Sequence, residues 1–271
     1  MKSLFVLASL LALGAGGASA ADLPMKARVM PAPVYSWTGF YVGGNAGGAW
    51  SQSDAVTTTI FSPTGYFAST SPGAIAIAGA QRVNTSGFTG GLTAGYNWQS
   101  SNWVFGIESD FNYFGLSGSS RASGIYPCCA PTGFTVSSSE SSSWLITVRP
   151  RLGVLVTASL LLYGTGGLAV ANVKSNFLFT DTFATAAESA AISTTRYGWT
   201  AGAGAEYGLM NGWSVKGEYL YADLGRSSTT STNLTAFTPP IAFPSNIWNH
   251  SIDLRTNIVR IGLNYKFGGA Y

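Results

Sequence analysis

Asn257-Ile258-Val259-Arg260-Ile261-Gly262-Leu263-Asn264-Tyr265-Lys266-Phe267 is two strings of residues interleaved. Val259, Ile261, Leu263, Tyr265 and Phe267 share one parity, all apolar or aromatic. Ile258, Arg260, Gly262, Asn264 and Lys266 share the other, mostly polar, small or charged. A period of two puts alternate side chains on opposite faces of a β-strand. A half-buried strand of a soluble protein alternates in the same way. Less usual for such a strand is a long apolar face that ends in Tyr-x-Phe, with Gly268, Gly269, Ala270 and Tyr271 after it.

Composition narrows the class. Charged residues make up 9% of the chain, against roughly 25% in ordinary soluble domains. So few charges solvate a water-facing surface poorly but suit a surface that faces lipid. Aromatics are 13%, there are 34 glycines, and the net charge of +3 includes no basic run. Nucleic acid is therefore not a suggested partner.

Upstream, Met1 to Ala20 has the layout of a secretory signal: Lys2, the apolar run Leu4–Leu13, and Ala18-Ser19-Ala20 as a small-residue cleavage site. The apolar run is too short to span a bilayer, and Gly14, Gly16 and Gly17 argue against an uncleaved anchor. Residues 21–36, with Pro24, Pro31 and Pro33, read as a periplasmic linker. Residues 37–271 are then the barrel.

Within that region, strands are predicted at about 38–50, 88–98, 103–113, 144–154, 160–173, 196–207, 213–221 and 257–267. The first and fifth have faces that are hard to tell apart. Ser51–Thr85, Leu116–Ser142, Lys174–Thr195 and Gly225–Arg255 read as long Ser/Thr-rich loops. The other connections are short, and Asn211-Gly212 suits a hairpin turn. Long and short connections alternate, as in a transmembrane barrel. Trp98, Trp103, Tyr207, Trp213 and Tyr265 fall near strand ends, where an interfacial girdle belongs. The expected fold class is all-β: an eight-stranded antiparallel transmembrane β-barrel with four long external loops and short periplasmic turns. Leu152 to Val173 is uncharged and long enough for a transmembrane helix. Its glycines and its Thr157-Ala158-Ser159 centre fit a hairpin better, and a helix there would leave open sheet edges in lipid.

Val148-Arg149-Pro150-Arg151-Leu152-Gly153 and Leu162-Tyr163-Gly164-Thr165-Gly166-Gly167-Leu168-Ala169 resemble the core of a known family. So do the opening Trp37-Thr38-Gly39-Phe40-Tyr41-Val42-Gly43-Gly44, the ending Val259 to Phe267, and Ala21-Asp22-Leu23-Pro24. The family is the small outer-membrane β-barrel proteins of alphaproteobacteria, of the porin-family or outer-membrane immunogenic type. The resemblance covers the strands and none of the long loops. It implies the Gram-negative outer membrane, surroundings of outer-membrane lipid and lipopolysaccharide, and handling by periplasmic chaperones and the barrel-assembly machinery. It implies Tyr265 and Phe267 as an assembly signal, no catalytic residues and no cofactor. The trailing Gly-Gly-Ala-Tyr departs from members that end on the Phe, and Pro150 stands where a small residue is more usual. With no N–H to give, Pro150 is expected to produce a β-bulge or a missing ladder bond.

The charges carry the physics. Glu108, Asp110, Arg149, Arg151, Arg196, Glu206, Lys216, Glu218, Arg260 and Lys266 all fall on the inward parity. Eight strands enclose a lumen narrow enough for side chains to fill. Opposite charges inside must pair or hold water, because unpaired buried charge is costly. The set is either a packed polar core or a small, basic-leaning pore lining, and the strand number favours the core. Glu108 and Asp110 are expected to neutralise Arg149 and Arg151 on the next strand. His250 is the one histidine, beside Ser251 in the fourth long loop, and is expected to be exposed. Cys128-Cys129 is a vicinal pair in the second loop, open to a strained disulfide or an intermolecular link. No metal site is expected. Three functions remain in view: a structural envelope protein displaying surface loops, a small porin for ions or solutes, and a surface binder or adhesin, haem included. An enzyme is not expected, and homo-oligomers are left open.

Overall fold

The computed structural model describes residues 35–268. The signal segment 1–20, most of the 21–36 linker and Tyr271 lie outside the described residues. The elements run β1 Gly39–Thr59, α1 Ser71–Gly79, β2 Ala80–Ser100, β3 Trp103–Ile125, β4 Gly133–Thr157, β5 Leu160–Asp181, β6 Ala187–Gly208, β7 Trp213–Ser231, β8 Thr235–Ala236, β9 Ile241–Ala242 and β10 Trp248–Lys266. Strands β1 to β7 and β10 are the long ones. Chain neighbours pair antiparallel from β1 to β7, β7 pairs with β10, and β10 returns to β1. The sheet is thus a closed ring of eight strands. The β8–β9 hairpin is a small appendage on β6. At the β6–β7 turn Asn211 and Gly212 both take positive φ, 59° and 80°, the backbone that a tight two-residue hairpin demands.

The outward residues show where lipid lies. Trp103, Phe105, Ile107, Phe111 and Tyr113 of β3 are exposed, as are Val148, Leu152 and Val154 of β4 and Val259, Ile261 and Leu263 of β10. On each strand this apolar face covers about 10 residues, the length that a tilted strand needs to cross a bilayer. Beyond Tyr113 the outward face of β3 becomes Ser117, Ser119, Arg121 and Ser123, and that of β2 becomes Ser86, Asn84 and Arg82. Water, not lipid, surrounds that part.

Here the structure corrects the expectation of four long loops. Much of Ser51–Thr85, at 51–59 and 80–85, and most of Leu116–Ser142, Lys174–Thr195 and Gly225–Arg255 is strand. At about 3.3 Å per residue, the 25 residues of β4 reach roughly 80 Å along the chain, or about 60 Å of height at a tilt near 40°. An apolar band is only about 25 Å tall. The segments look like loops in sequence because their outward residues are polar. The first of them also contains α1, which sets Ile75 and Ala78 against the apolar cap of the barrel.

The interior is filled in layers. Nearest the short turns, Trp37, Val104, Leu161 and Tyr163 pack together. Next come the inward charges. Above them lies an apolar layer that includes Phe114, Leu116, Leu145, Val173, Leu220 and Leu254. Ala55, Val83, Phe177 and Ile252 form another. An aromatic cap of Phe67, Tyr126, Phe134, Phe179 and Trp248 closes the outer end.

Two irregularities of the wall bear on the inward charges and on Pro150. Pairing of β6 with β7 extends outward only to Trp199–Asp223. Just beyond, Gly225 takes φ +69° and the register of β7 with β10 shifts between Asp253 and Arg255. From there β6 follows β5, with β8 joining it only at Ala187, and side chains bridge the seam: Arg196 donates to the Leu224 and Arg226 carbonyls and Asn233 to the Ser189 carbonyl at 2.8 Å. The second irregularity is at Pro150. It is exposed and pairs with Ile107 of β3. Toward β5, however, the ladder runs through Val148–Leu168 and resumes at Arg151–Thr165, with no pair at Arg149 or Pro150. The register is unchanged across the gap, so there is a missing pair and no bulge. The Thr165 hydroxyl donates to the Pro150 carbonyl at 2.9 Å, satisfying it from a side chain.

Candidate functional site: the charged lumen

Alternation in β3, β4, β6, β7 and β10 aims their charged residues at one level of the lumen. Four carboxylates, Glu108, Asp110, Glu206 and Glu218, meet four cations, Arg149, Arg151, Lys216 and Arg260, all at most 4% exposed. Arg149 is the hub. Its guanidinium lies 2.7 Å from Glu108, 2.6 Å from Asp110 and 3.1 Å from Glu218 on the far wall. Arg260 reaches Glu218 at 2.6 Å and Asp110 at 2.9 Å. Lys216 reaches Glu108 at 2.7 Å. Arg151 pairs chiefly with Glu206 at 2.9 Å, with Glu108 farther off at 3.6 Å.

Neutral groups complete the network. The Tyr41 and Tyr163 hydroxyls donate to Glu108 and Glu218 at 2.8 and 3.0 Å. Thr93 and Thr147 donate to Asp110 at 2.6 and 2.8 Å. Ser214 and Asn264 serve Glu206 at 2.5 and 2.9 Å. The Arg151 guanidinium carbon sits 5.0 Å from both the Tyr41 and Tyr163 ring centroids, so two π-faces share its charge. Charges cancel at this level, and pairing is what makes burying them tolerable. Chemically, the arrangement is a cross-brace holding opposite walls together. The apolar layers below and above it cover both of its ends.

The expected neighbour-strand pairing is present between Arg149 and both Glu108 and Asp110, while Arg151 turns to β6. Two residues of the inward set stand apart. Arg196 bridges the β6–β7 seam, and Lys266 donates to the Thr38 carbonyl at 3.3 Å with its ammonium 5.9 Å from the Tyr35 ring centroid. Tyr265 contacts Trp213 at 5.1 Å and Phe267 at 5.0 Å between ring centroids; Phe267 also stacks on Phe40 at 6.0 Å. Together these rings form an aromatic girdle at the barrel's seal.

His250 is corrected from exposed loop residue to core residue, at 1% exposure on β10. Its Nδ1 lies 3.1 Å from the Thr57 hydroxyl and its Nε2 3.2 Å from Glu188. Phe177 stacks on it at 4.8 Å. The signal for this was present, since Trp248, His250 and Ile252 alternate with Asn249 and Ser251. Sequence reading also missed Tyr41, Tyr163, Glu140 and Glu188 as interior polar groups. Cys128 and Cys129 are joined as a vicinal disulfide in the exposed β3–β4 loop.

The outer membrane protein beta-barrel domain profile matches residues 8–267. The 31 kDa outer-membrane immunogenic protein of Brucella melitensis is 36% identical over 276 aligned positions, covering 98% of this chain and all (100%) of that protein. The 22 kDa outer membrane protein of Rhizobium leguminosarum is 31% identical, covering 70% of this chain and 66% of that protein. Among solved structures, the outer membrane protein OprG of Pseudomonas aeruginosa aligns with a TM-score of 0.40 at 12% identity, covering 84% of this chain and 97% of that one. The chain belongs to the outer membrane protein beta-barrel domain family, and its place is the outer membrane of a Gram-negative cell.

Proposed function

We propose that this protein is a structural outer-membrane barrel, without catalytic or channel activity, that supports envelope integrity and presents a rigid outer rim to the surroundings. The observation that carries the reading is the filled interior: an apolar base, a neutral charge network, two further apolar layers and an aromatic cap. A pore needs a continuous wet path, and each of these layers interrupts one. His250 supports the non-catalytic reading, because both ring nitrogens face buried partners and its exposure is 1%.

The apolar belt fits outer-membrane lipid. Arg82, Arg121, Lys174 and Arg255, outward beyond it, suit the phosphates of lipopolysaccharide. The girdle around Phe267 is the segment we assign to recognition by the assembly machinery, after chaperone delivery. Relatives are named immunogenic proteins, and an outer rim of ordered hairpins would serve as an antigen in the same way.

Single-channel recording of the refolded protein in planar bilayers tests the reading. No conductance steps are expected, and reproducible unitary steps would overturn it in favour of a small porin. A deletion strain should become more sensitive to detergent and chelator, with sensitivity restored to normal by the intact gene.

A further inference from the structure

Between the apolar layer at Leu116 and Val173 and the next at Val83 and Phe177 lies a polar belt that the charged lumen does not involve. Glu140 of β4 sits in it at 2% exposure, and neither carboxylate oxygen has a hydrogen-bond partner. Register places Ser175 of β5 beside Glu140 on one side and Gly118 of β3 on the other. Gly118 lies against the backbone of Thr85 of β2. The hydroxyls of Ser175 and Thr85 are also buried and unpartnered, at 0% and 3% exposure. Ser53 of β1 lies alongside the carboxyl without well-formed hydrogen-bond geometry, and Asp253 of β10 faces it.

The two carboxylates are not equivalent. Asp253 accepts from the Asp54 N–H at 2.7 Å and meets Arg255, whose side chain is half-exposed, at 3.0 Å. Its charge is answered from outside the wall, whereas Glu140 has no such cation. A buried carboxylate without a partner is among the most expensive arrangements a fold can hold. Several buried oxygens left unsatisfied at one level point to an unaccounted ligand that donates or carries positive charge.

We propose that Glu140, with oxygens of Asp253, Ser53, Ser175 and Thr85, binds one hard cation of the calcium or sodium kind inside the outer half of the barrel. Carboxylate and hydroxyl oxygens, with no nitrogen or sulfur, are the donor set that such ions prefer. The register of β7 with β10 shifts between Asp253 and Arg255, so the wall beside the site is irregular. Burial pushes the Glu140 carboxyl up to about 7; Ser53 opposes the rise and the Asp253 carboxylate adds to it. Cation and proton therefore compete, and affinity rises with pH through that value.

The test uses the full barrel refolded in detergent micelles. Calcium and sodium are titrated separately at pH 8 and pH 5.5, following heat uptake and thermal unfolding against a chelated control. Saturable binding at pH 8, at least tenfold weaker at pH 5.5, is expected for one of the two ions. Glu140→Gln should weaken it at least tenfold, and Ser175→Ala, which leaves the carboxyl in place, several-fold. The proposal fails if neither ion binds saturably, or if wild type and Glu140→Gln respond alike. It fails equally if stability follows pH alone with no cation dependence, which would assign the site to a protonated carboxyl.

Discussion

The barrel's two halves are built with opposite polarity. In the membrane half the outside is apolar and the inside holds four carboxylates and four cations. In the outer half the outside is Ser, Thr, Asn and Arg, and the inside is largely Val83, Phe177, Phe179, Trp248 and their neighbours. Except at the β6–β7 seam, the same ladders of hydrogen bonds run through both, so the backbone is indifferent to the exchange. What changes is the solvent. In lipid the outward face cannot drive folding by leaving water, so charge pairing and hydrogen bonds brace the interior. In water the hydrophobic effect does that work.

Breaking the membrane half at its hub should have the largest effect. Arg149→Ala leaves Glu108, Asp110 and Glu218 with Lys216 and Arg260 as their nearest cations and should cost about 3–5 kcal/mol, read as loss of heat-modifiable mobility and of urea resistance. Glu108→Ala combined with Arg149→Ala should recover part of that loss. Independent, additive effects would show that the two residues do not interact.

The corresponding break in the outer half is Phe179→Ala, with an expected cost of roughly 3 kcal/mol. Its signature should differ: proteolysis within 116–142 and 174–195 should accelerate while the membrane half keeps its mobility on gels. Equal loss in both halves would make the barrel one cooperative unit.

A subtler probe is pH, in cation-free buffer. The Glu140 carboxyl rises from an ordinary 4.5 to about 7 in the folded chain. Between those values the folded state holds a proton that the unfolded state has released. Stability is therefore fullest below pH 4.5 and falls as pH climbs to 7, by at most about 3 kcal/mol. Glu140→Gln should flatten that slope in equilibrium unfolding.

The smallest effect is expected at Pro150. Pro150→Thr supplies an N–H where the ladder to β5 lacks a pair and should raise stability by about 1 kcal/mol. An unchanged or lower melting temperature would mean that the Thr165 hydroxyl already makes good the loss.

The same contrast explains what could be read in the sequence. Membrane strands announce themselves because Trp103, Phe105 and Ile107 alternate with Gly106 and Glu108 over a whole bilayer crossing. In the outer half the alternation is inverted or faint. Ser137-Ser138-Ser139-Glu140-Ser141-Ser142 offers serine to both faces, so period two vanishes although the strand continues. The lumen charges were legible from parity, but their partners were not. Arg151 meets Glu206 two strands away on β6, and Arg196 is diverted by a seam that begins where Gly225 turns β7 aside. His250 reads as a loop residue in sequence for one reason: the outward face of its strand is polar.

The β3–β4 hairpin continues 12 residues past Tyr113 on β3, to Ile125, or about 40 Å of chain. Its tip, Pro127 to Pro131, is carried on paired strands rather than on a tether. Reach and flexibility are thus separated. A bulky molecule that approaches from outside meets the tip before it meets Ser117, lower on the same strand. Contact with this protein is sorted by height, as on a measuring rod.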